Sequence, residues 1–186
     1  KVKVKLPSLQ EQERIANFLT KVDKIIEKQE EKVKNLEKYK KGMMQKIFSQ
    51  EIRFKDENGE EYPEWEEKKL GDFTERIKRK APENSIAPVM MIAAESGFIY
   101  QKDRYSRENA GKSLTNYTLL KQEEFSYNHG YSKLRNYGSV FILKEPEARV
   151  PFVYHSFKLL SGVGDFWGYY LNSGLLDRTL KKTISS

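Results

Sequence analysis

The stretch LPSLQEQERIANFLTKVDKIIEKQEEKVKNLEKYKKGMMQKIF, residues 6–48, decides the fold of this chain. Its start carries a helix-start signal, because Ser8 is followed three residues later by Glu11 in the S-x-x-E pattern of a capping box. Pro7 stands just before the cap and keeps Leu6 extended, since a residue before proline avoids the helical region. The sequence therefore predicts an extended segment that runs into a helix at Ser8.

The predicted helix carries an apolar stripe. Alternating steps of four and three residues from Ile15 to Ile47 meet apolar side chains at every position except Gln29 and Lys40. This spacing is typical of a coiled-coil seam, and a helix of about 40 residues is about 60 Å long. The predicted coiled-coil interface comprises Ile15, Leu19, Val22, Ile26, Val33, Leu36, Met43 and Ile47.

Such a seam requires a second long helix. No comparable run occurs in residues 51–186, so a helix partner outside this chain is predicted. The alternative is a helix that lies against its own domain.

Charge divides the chain into three blocks. Residues 1–50 hold 13 Lys/Arg against 7 Asp/Glu, residues 51–67 hold 2 against 8, and residues 68–186 hold 19 against 12, for a net charge of +7. Basic blocks attract phosphate backbones, although the same charge also keeps many proteins soluble. The pattern indicates an acidic hinge between two basic blocks.

Composition excludes several kinds of site. The chain has no cysteine and two histidines, which excludes a disulfide scaffold, a thiolate zinc site and a cysteine nucleophile. No apolar run approaches the roughly 20 residues that span a bilayer, and no signal peptide is visible. We therefore expect no membrane partner and a cytoplasmic location.

The acidic hinge predicts a small hairpin or an extended arm. Ile52 and Phe54 alternate with charged residues, and Asn58-Gly59 is a tight-turn signal. Trp65 is predicted to pack against the domain that follows.

Residues 70–186 alternate short apolar runs with turn residues, which predicts an α+β domain. One or two short helices are predicted in GDFWGYYLNSGLLDRTLKK, residues 164–182. Strands are predicted in IAPVMMIAA (86–94), GFIYQ (97–101), EEFSYNHG (123–130), GSVFIL (138–143) and VPFVYH (150–155).

Two polar loops carry the candidate binding residues. QKDRYSRENAGKSLTNY (101–117) and YNHGYSKLRNYG (127–138) interleave cations with Tyr, Asn, Ser and Gly, which are residue types that contact phosphates and base edges. Such loops also occur at protein interfaces and in ordinary turns. Arg135, Asn128 and Asn136 are the predicted base readers, with the lysines on phosphates. The full predicted DNA-binding set is Arg79, Lys80, Arg104, Tyr105, Lys112, Asn116, Asn128, His129, Tyr131, Ser132, Lys133, Arg135, Asn136 and Tyr137.

No catalytic arrangement emerges from the sequence. Asp56, Glu66 and Lys68 resemble a metal nuclease set, but such spacing arises by chance in a charge-rich hinge. A G-x-G-x-x-G run, a Walker lysine and an Asp/Asn-Pro-Pro-aromatic tetrapeptide are absent. His129 and His155 are interpreted as hydrogen-bonding residues, since no Ser/His/Asp grouping is evident. The sequence predicts a binder without catalytic or metal-binding residues.

The run LPSLQEQERIANFL together with WEEKKLGD, residues 65–72, resembles the specificity (S) subunit of type I restriction-modification enzymes. The resemblance implies two recognition domains per whole subunit, each reading half of a bipartite DNA site, spaced by two antiparallel helices. It implies methyltransferase (M) and restriction (R) subunits as partners, which carry S-adenosylmethionine, ATP and Mg; this chain itself would hold no cofactor and catalyse nothing.

The resemblance also implies a layout and a setting. Residues 1–7 would end a preceding recognition domain, 8–49 would form the coiled-coil spacer helix, 50–69 an acidic linker or hairpin, and 70–186 a target recognition domain truncated at its C-terminus. The chain is then a half subunit or a fragment, its helix partner is a second copy or the missing half, and its host is bacterial or archaeal. The alternative is a coiled-coil scaffold that binds protein and has no DNA specificity.

Overall fold

The computed structural model describes residues 1–104, 116–130, 137–177, 179 and 181. They fall into two compact units, residues 1–44 and residues 45–186. In chain order the helices and strands are α1 (Leu9–Phe48), β1 (Thr74–Arg76), β2 (Met90–Ala93), β3 (Gly97–Tyr100), α2 (Gln101–Arg104), β4 (Thr118–Lys121), β5 (Phe125–Asn128), β6 (Ser139–Ile142), β7 (Glu147–Val150), β8 (His155–Leu159) and α3 (Gly164–Leu171). One long helix followed by a sheet-rich unit confirms the predicted α+β class.

The start of α1 is the one that its sequence signals predict. The Glu11 N–H donates to Ser8 Oγ at 3.3 Å, and the Gln12 N–H donates to the Ser8 carbonyl at 2.9 Å. The Gln12 side chain also donates to the Pro7 carbonyl at 2.8 Å. The Ser8 hydroxyl therefore satisfies one of the backbone amides that the first helical turn leaves without an intrahelical partner, and the Ser8 carbonyl accepts the first intrahelical bond.

The apolar stripe of α1 is exposed. Five of the predicted seam residues, Ile15, Leu19, Ile26, Val33 and Leu36, leave between 47% and 56% of their surface open to solvent. Continuous apolar exposure of this kind is uncommon in a protein that works alone. Pairing of the stripe with another helix stays a prediction.

The acidic hinge forms the predicted hairpin. Asp56 Oδ1 accepts the N–H groups of Asn58 and Glu60 at 2.9 and 2.8 Å, and Gly59 takes a φ of +81° that favours glycine. At the open end of the hairpin, Arg53 Nη1 donates to Glu64 Oε1 at 2.7 Å.

The centre of the second unit is a four-stranded antiparallel sheet in the order β1-β8-β5-β6. The buried hydroxyls of Ser126 and Ser156 share a hydrogen bond of 2.6 Å between β5 and β8. Phe125 and Phe157, which face each other in the same register, stack at 5.1 Å. Backbone pairing and side-chain contacts therefore fix one register for the central strands.

Two further antiparallel pairs, β2-β3 and β4-β7, accompany the sheet and build the core. Its fully or nearly fully buried members are Met90, Leu120, Leu143, Ala148 and Val150. The sequence patterns locate β2, β3, β5, β6 and α3 correctly.

One strand prediction is wrong. VPFVYH contains the turn that joins β7 to β8, in which the Tyr154 N–H donates to the Pro151 carbonyl at 3.0 Å. Pro151 has no N–H to offer a ladder, and Phe152 is exposed. Strands β1 and β4 lie outside the predicted runs, and β7 and β8 share only their terminal residues, Val150 and His155, with the run VPFVYH.

Helix α3 packs on the edge of the sheet and on the end of α1. Asn172 Oδ1 accepts the Val140 N–H at 3.1 Å, and its Nδ2 donates to the Val140 carbonyl, so the side chain occupies the free edge of β6. Phe166 contacts Phe48 at 5.7 Å and Trp65 at 6.1 Å in edge-on geometry. The predicted packing of Trp65 on the domain is confirmed.

The buried core gives a stability prediction. Leu120 is 0% exposed, so Leu120→Ala should lower the free energy of unfolding of residues 45–186 by about 2–5 kcal/mol. Leu160→Ala removes the same atoms from a side chain that is 58% exposed and should change it by less than about 0.5 kcal/mol. Denaturant unfolding followed by tryptophan fluorescence measures this unit, since Trp65 and Trp167 both lie in it. Equal losses in the two variants would contradict the placement of the core.

Candidate nucleic-acid interface

The sheet register brings several polar side chains to one end of the central sheet. Asn128 ends β5 opposite Ser139, which begins β6, and Tyr127 pairs with His155, which begins β8. Neighbouring strands lie about 4.8 Å apart. Residues from three strands therefore meet at this end, although they are far apart in the sequence.

Tyr127, His129 and His155 form an aromatic cluster there. The Tyr127 and His155 rings stack at 6.2 Å, and the two imidazoles lie 5.6 Å apart. Both histidines are exposed, so their ring nitrogens are accessible. An exposed cluster of rings that also offers donors and acceptors suits contact with bases or phosphates.

Hydrogen bonds hold the backbone around this cluster. The Tyr127 hydroxyl donates to the Tyr137 carbonyl at 2.5 Å, and Asn128 Oδ1 accepts the Gly130 N–H at 3.1 Å. Partial burial raises the pKa of the Tyr127 phenol above its ordinary value, because the phenolate loses solvation. The hydroxyl therefore remains a donor at neutral pH.

A second group of predicted residues lies beside β4. The Leu119 N–H donates to the Arg79 carbonyl at 3.0 Å, and Lys80 pairs with Thr118. Asn116 is two residues before Thr118, and both Asn116 and Lys80 are exposed. Arg79, Lys80 and Asn116 are thus brought close together by backbone pairing between segments about 40 residues apart in the chain.

Arg79 already has an anionic partner. Its Nη2 lies 2.6 Å from Glu124 Oε2, and its Nε donates to the Leu119 carbonyl at 3.1 Å. The Glu124 side chain is only 11% exposed, whereas that of Arg79 is 37% exposed. Since a buried carboxylate needs a cation or donors, this guanidinium has a clear structural role; a DNA contact by Arg79 stays a prediction.

The remaining predicted residues divide into two sets. Arg104 is exposed at the end of α2, and no hydrogen bond or ion pair between described residues joins it to either group. The rest lie outside the described residues: Tyr105, Lys112, Tyr131, Ser132, Lys133, Arg135 and Asn136.

The structure adds residues to this surface that the predicted DNA-binding set does not contain. His155 and Tyr127 join it through the pairing of β5 with β8, and Lys78 directly follows Ile77, whose N–H donates to the Ser156 carbonyl at 2.9 Å. The alternation of cations in RIKRKA, residues 76–81, was the available signal for Lys78.

The residues that resemble a nuclease set have ordinary partners. Asp56 holds its own turn, and Lys68 lies 2.7 Å from Glu66, whose pKa it lowers by hydrogen bonding and charge. Among the described residues, no three acidic or histidine side chains are grouped so as to hold a metal ion. None of the described helices has the length and apolar character needed to cross a bilayer.

Comparison with known proteins agrees with the resemblance seen in the sequence. Residues 1–38 match the family model described as the type I restriction modification DNA specificity domain. The putative type I restriction enzyme MjaX specificity subunit of Methanocaldococcus jannaschii is 34% identical over 113 residues, which cover 53% of this chain and 27% of that relative. No solved structure gives a significant match. Over these partial lengths, the chain is similar to specificity subunits of type I restriction-modification enzymes, and it spans about a quarter of the length of the relative that it matches.

The Tyr127 hydroxyl gives the next prediction. Tyr127→Phe removes one hydrogen bond and should lower the free energy of unfolding by about 0.5–1.5 kcal/mol. Tyr62→Phe, at an exposed tyrosine, is the matched control and should leave it unchanged.

The partial burial of the Tyr127 phenol sets a pH dependence of stability. The folded-state pKa of Tyr127 lies above the ordinary value of 10.0. The contribution of the neutral phenol to the free energy of unfolding is therefore complete below about pH 10, and it is lost as the pH rises through the raised pKa. Thermal melts of both tyrosine variants between neutral pH and pH 11 check this. If the difference in melting temperature between wild type and Tyr127→Phe grew above pH 10, the prediction would be contradicted.

Proposed function

We propose that this relative of the type I specificity subunits recognises one half of a bipartite DNA sequence for a restriction-modification complex. The observation that supports this most is the combination of the family match in residues 1–38 with an exposed polar surface at one end of the central sheet. The sheet supplies a rigid base, and the side chains at its strand ends supply the DNA contacts.

In this proposal some of the described residues contact base edges and others contact the DNA backbone. Asn128 and His129 stand at the end of β5, where an amide and an imidazole offer both donors and acceptors to base edges. Asn128 Oδ1 keeps a second lone pair beyond its bond to Gly130, and its Nδ2 can donate outward. Lys80, Asn116 and Tyr137 are assigned to the DNA backbone.

Helix α1 acts as a spacer in the same proposal. Its exposed apolar stripe pairs with the equivalent helix of a second copy, or with the second helix of a longer subunit, to form an antiparallel coiled coil. Antiparallel pairing puts two recognition domains at opposite ends of the rod, so the length of the helix sets the gap between half-sites. Two identical copies would then read a symmetric interrupted site.

Chemistry belongs to other subunits in this proposal. Methyltransferase subunits bring S-adenosylmethionine, restriction subunits bring ATP and Mg, and this chain docks both without catalysing a step. We place the assembly in the cytoplasm of a bacterium or archaeon.

A coiled-coil scaffold for protein partners is the second candidate, and the exposed stripe on α1 favours it equally. Salt distinguishes the two functions. Binding to DNA releases counterions and weakens steeply as salt rises, whereas an apolar protein interface does not.

Selection of bound sequences from a random duplex pool tests recognition directly. The wild-type chain should enrich a defined half-site, and Asn128→Ala should relax one position of it by about 1–3 kcal/mol. Asn84→Ala, at an exposed turn residue outside the proposed surface, is the control and should enrich the wild-type sequence. A wild-type pool that shows no enrichment would contradict the proposal.

The seam gives a separate prediction. Ile26→Asp places a charge in the apolar stripe and should shift the chain from dimer towards monomer at micromolar concentration in sedimentation experiments. Asn35→Asp adds the same charge on the opposite face of α1 and should leave association unchanged. A wild-type chain that sediments as a monomer would count against pairing between copies.

A further inference from the structure

The segment that leaves β1 carries an alternating row of cations. Arg76, Lys78 and Lys80, here called the cationic row, are exposed, whereas Ile77 is half-buried and Ala81 is buried. Alternate residues of an extended chain lie about 6.5–7 Å apart. Three positive charges therefore follow one another along the surface at short, regular intervals.

Backbone pairing holds this segment on both sides. The Ile77 N–H donates to the Ser156 carbonyl at 2.9 Å, and the Ala81 N–H donates to the Tyr117 carbonyl at 2.8 Å. Between them, Lys80 pairs with Thr118. The row is consequently fixed at its base, so little backbone entropy is lost when its side chains bind an anion.

The cationic row has no anion within the part of the chain that the structure describes. No ion pair between described residues includes a member of the row, whereas Lys46, Lys68 and Lys144 lie 3.0, 2.7 and 2.8 Å from carboxylates. Since no carboxylate of residues 1–104, 116–130 or 137–177 pairs with the row, its charge is available to an external partner.

Protection of a sheet edge against unwanted strand pairing explains the position of only one cation of the row. Cations on edge strands prevent unwanted strand pairing, and Arg76 lies on β1 at the edge of the sheet. Lys78 and Lys80 lie beyond β1, and Lys80 faces Thr118 rather than an open edge. A negatively charged ligand accounts for all three residues together.

We infer that the cationic row binds successive phosphates of the DNA backbone and positions the recognition unit on the duplex without reading bases. The inference rests on the proposed function. Contacts to phosphates fix the register of a protein on DNA but carry no sequence information. Lys78 follows Ile77, whose N–H donates to the Ser156 carbonyl in β8. Ser156 is next to His155, which pairs with Tyr127 in β5, so the cationic row lies near the strand ends that carry Asn128 and His129.

The test compares three charge variants of the full chain. The row variant is Arg76→Gln with Lys78→Gln and Lys80→Gln. The matched control, Lys46→Gln with Lys68→Gln and Lys144→Gln, removes the same formal charge from lysines that are already paired. Arg76→Lys retains the charge of the row and should keep nearly wild-type affinity. Single Lys78→Gln and Lys80→Gln variants repeat the measurement if the triple variant aggregates.

Fluorescence anisotropy measures binding to two labelled duplexes of equal length between about 50 and 200 mM salt. One duplex has mixed sequence, and the other carries the half-site that selection yields. The row variant should bind both duplexes roughly tenfold or more weakly, and its salt slope should fall by about 0.9 for each phosphate that it no longer neutralises. The ratio between the two duplexes should stay within about twofold of wild type.

Three outcomes would overturn the inference. These are an unchanged salt slope in the row variant, an equal weakening in the paired-lysine control, and a weakening confined to the half-site duplex, which would indicate base reading. A wild-type chain with no preference for the half-site duplex contradicts the proposed function instead.

Discussion

The 40-residue helix α1 exposes a stripe of apolar side chains to water, and only contact with another surface can bury that stripe. At about 25 cal/mol for each Å² of apolar surface, the half-exposed side chains of the seam represent a large unrealised stabilisation. In the proposed function, pairing with a second helix removes this surface from water, and the length of the helix sets the distance between the recognition domains. The proposed spacing of half-sites follows from this constraint.

The second unit holds exposed polar side chains at the strand ends of a packed sheet. Its central strands are fixed by the buried Ser126–Ser156 hydrogen bond and the Phe125–Phe157 stack, and Asn172 closes the edge of β6. The polar groups stand at strand ends and in the segments between them, outside the core. Substitutions there leave the core packing intact, because these residues contribute little to it.

The parts of the structure that the sequence predicted are those with local causes. Ser8 and Pro7 mark the start of α1, Asn58-Gly59 marks the hinge turn, and side-chain spacing indicates the apolar stripe of α1. The candidate surface depends on long-range pairing, which no local pattern encodes. His155 joins Tyr127 only through strand register, and Arg79 is paired with Glu124, 45 residues away in the chain.

Methylome sequencing of a host that carries the intact system, with and without the gene for this chain, tests sequence recognition by this subunit most directly. The account predicts methylation of an interrupted sequence that is present only when the chain is present. A methylation pattern that persisted unchanged without the chain would contradict it.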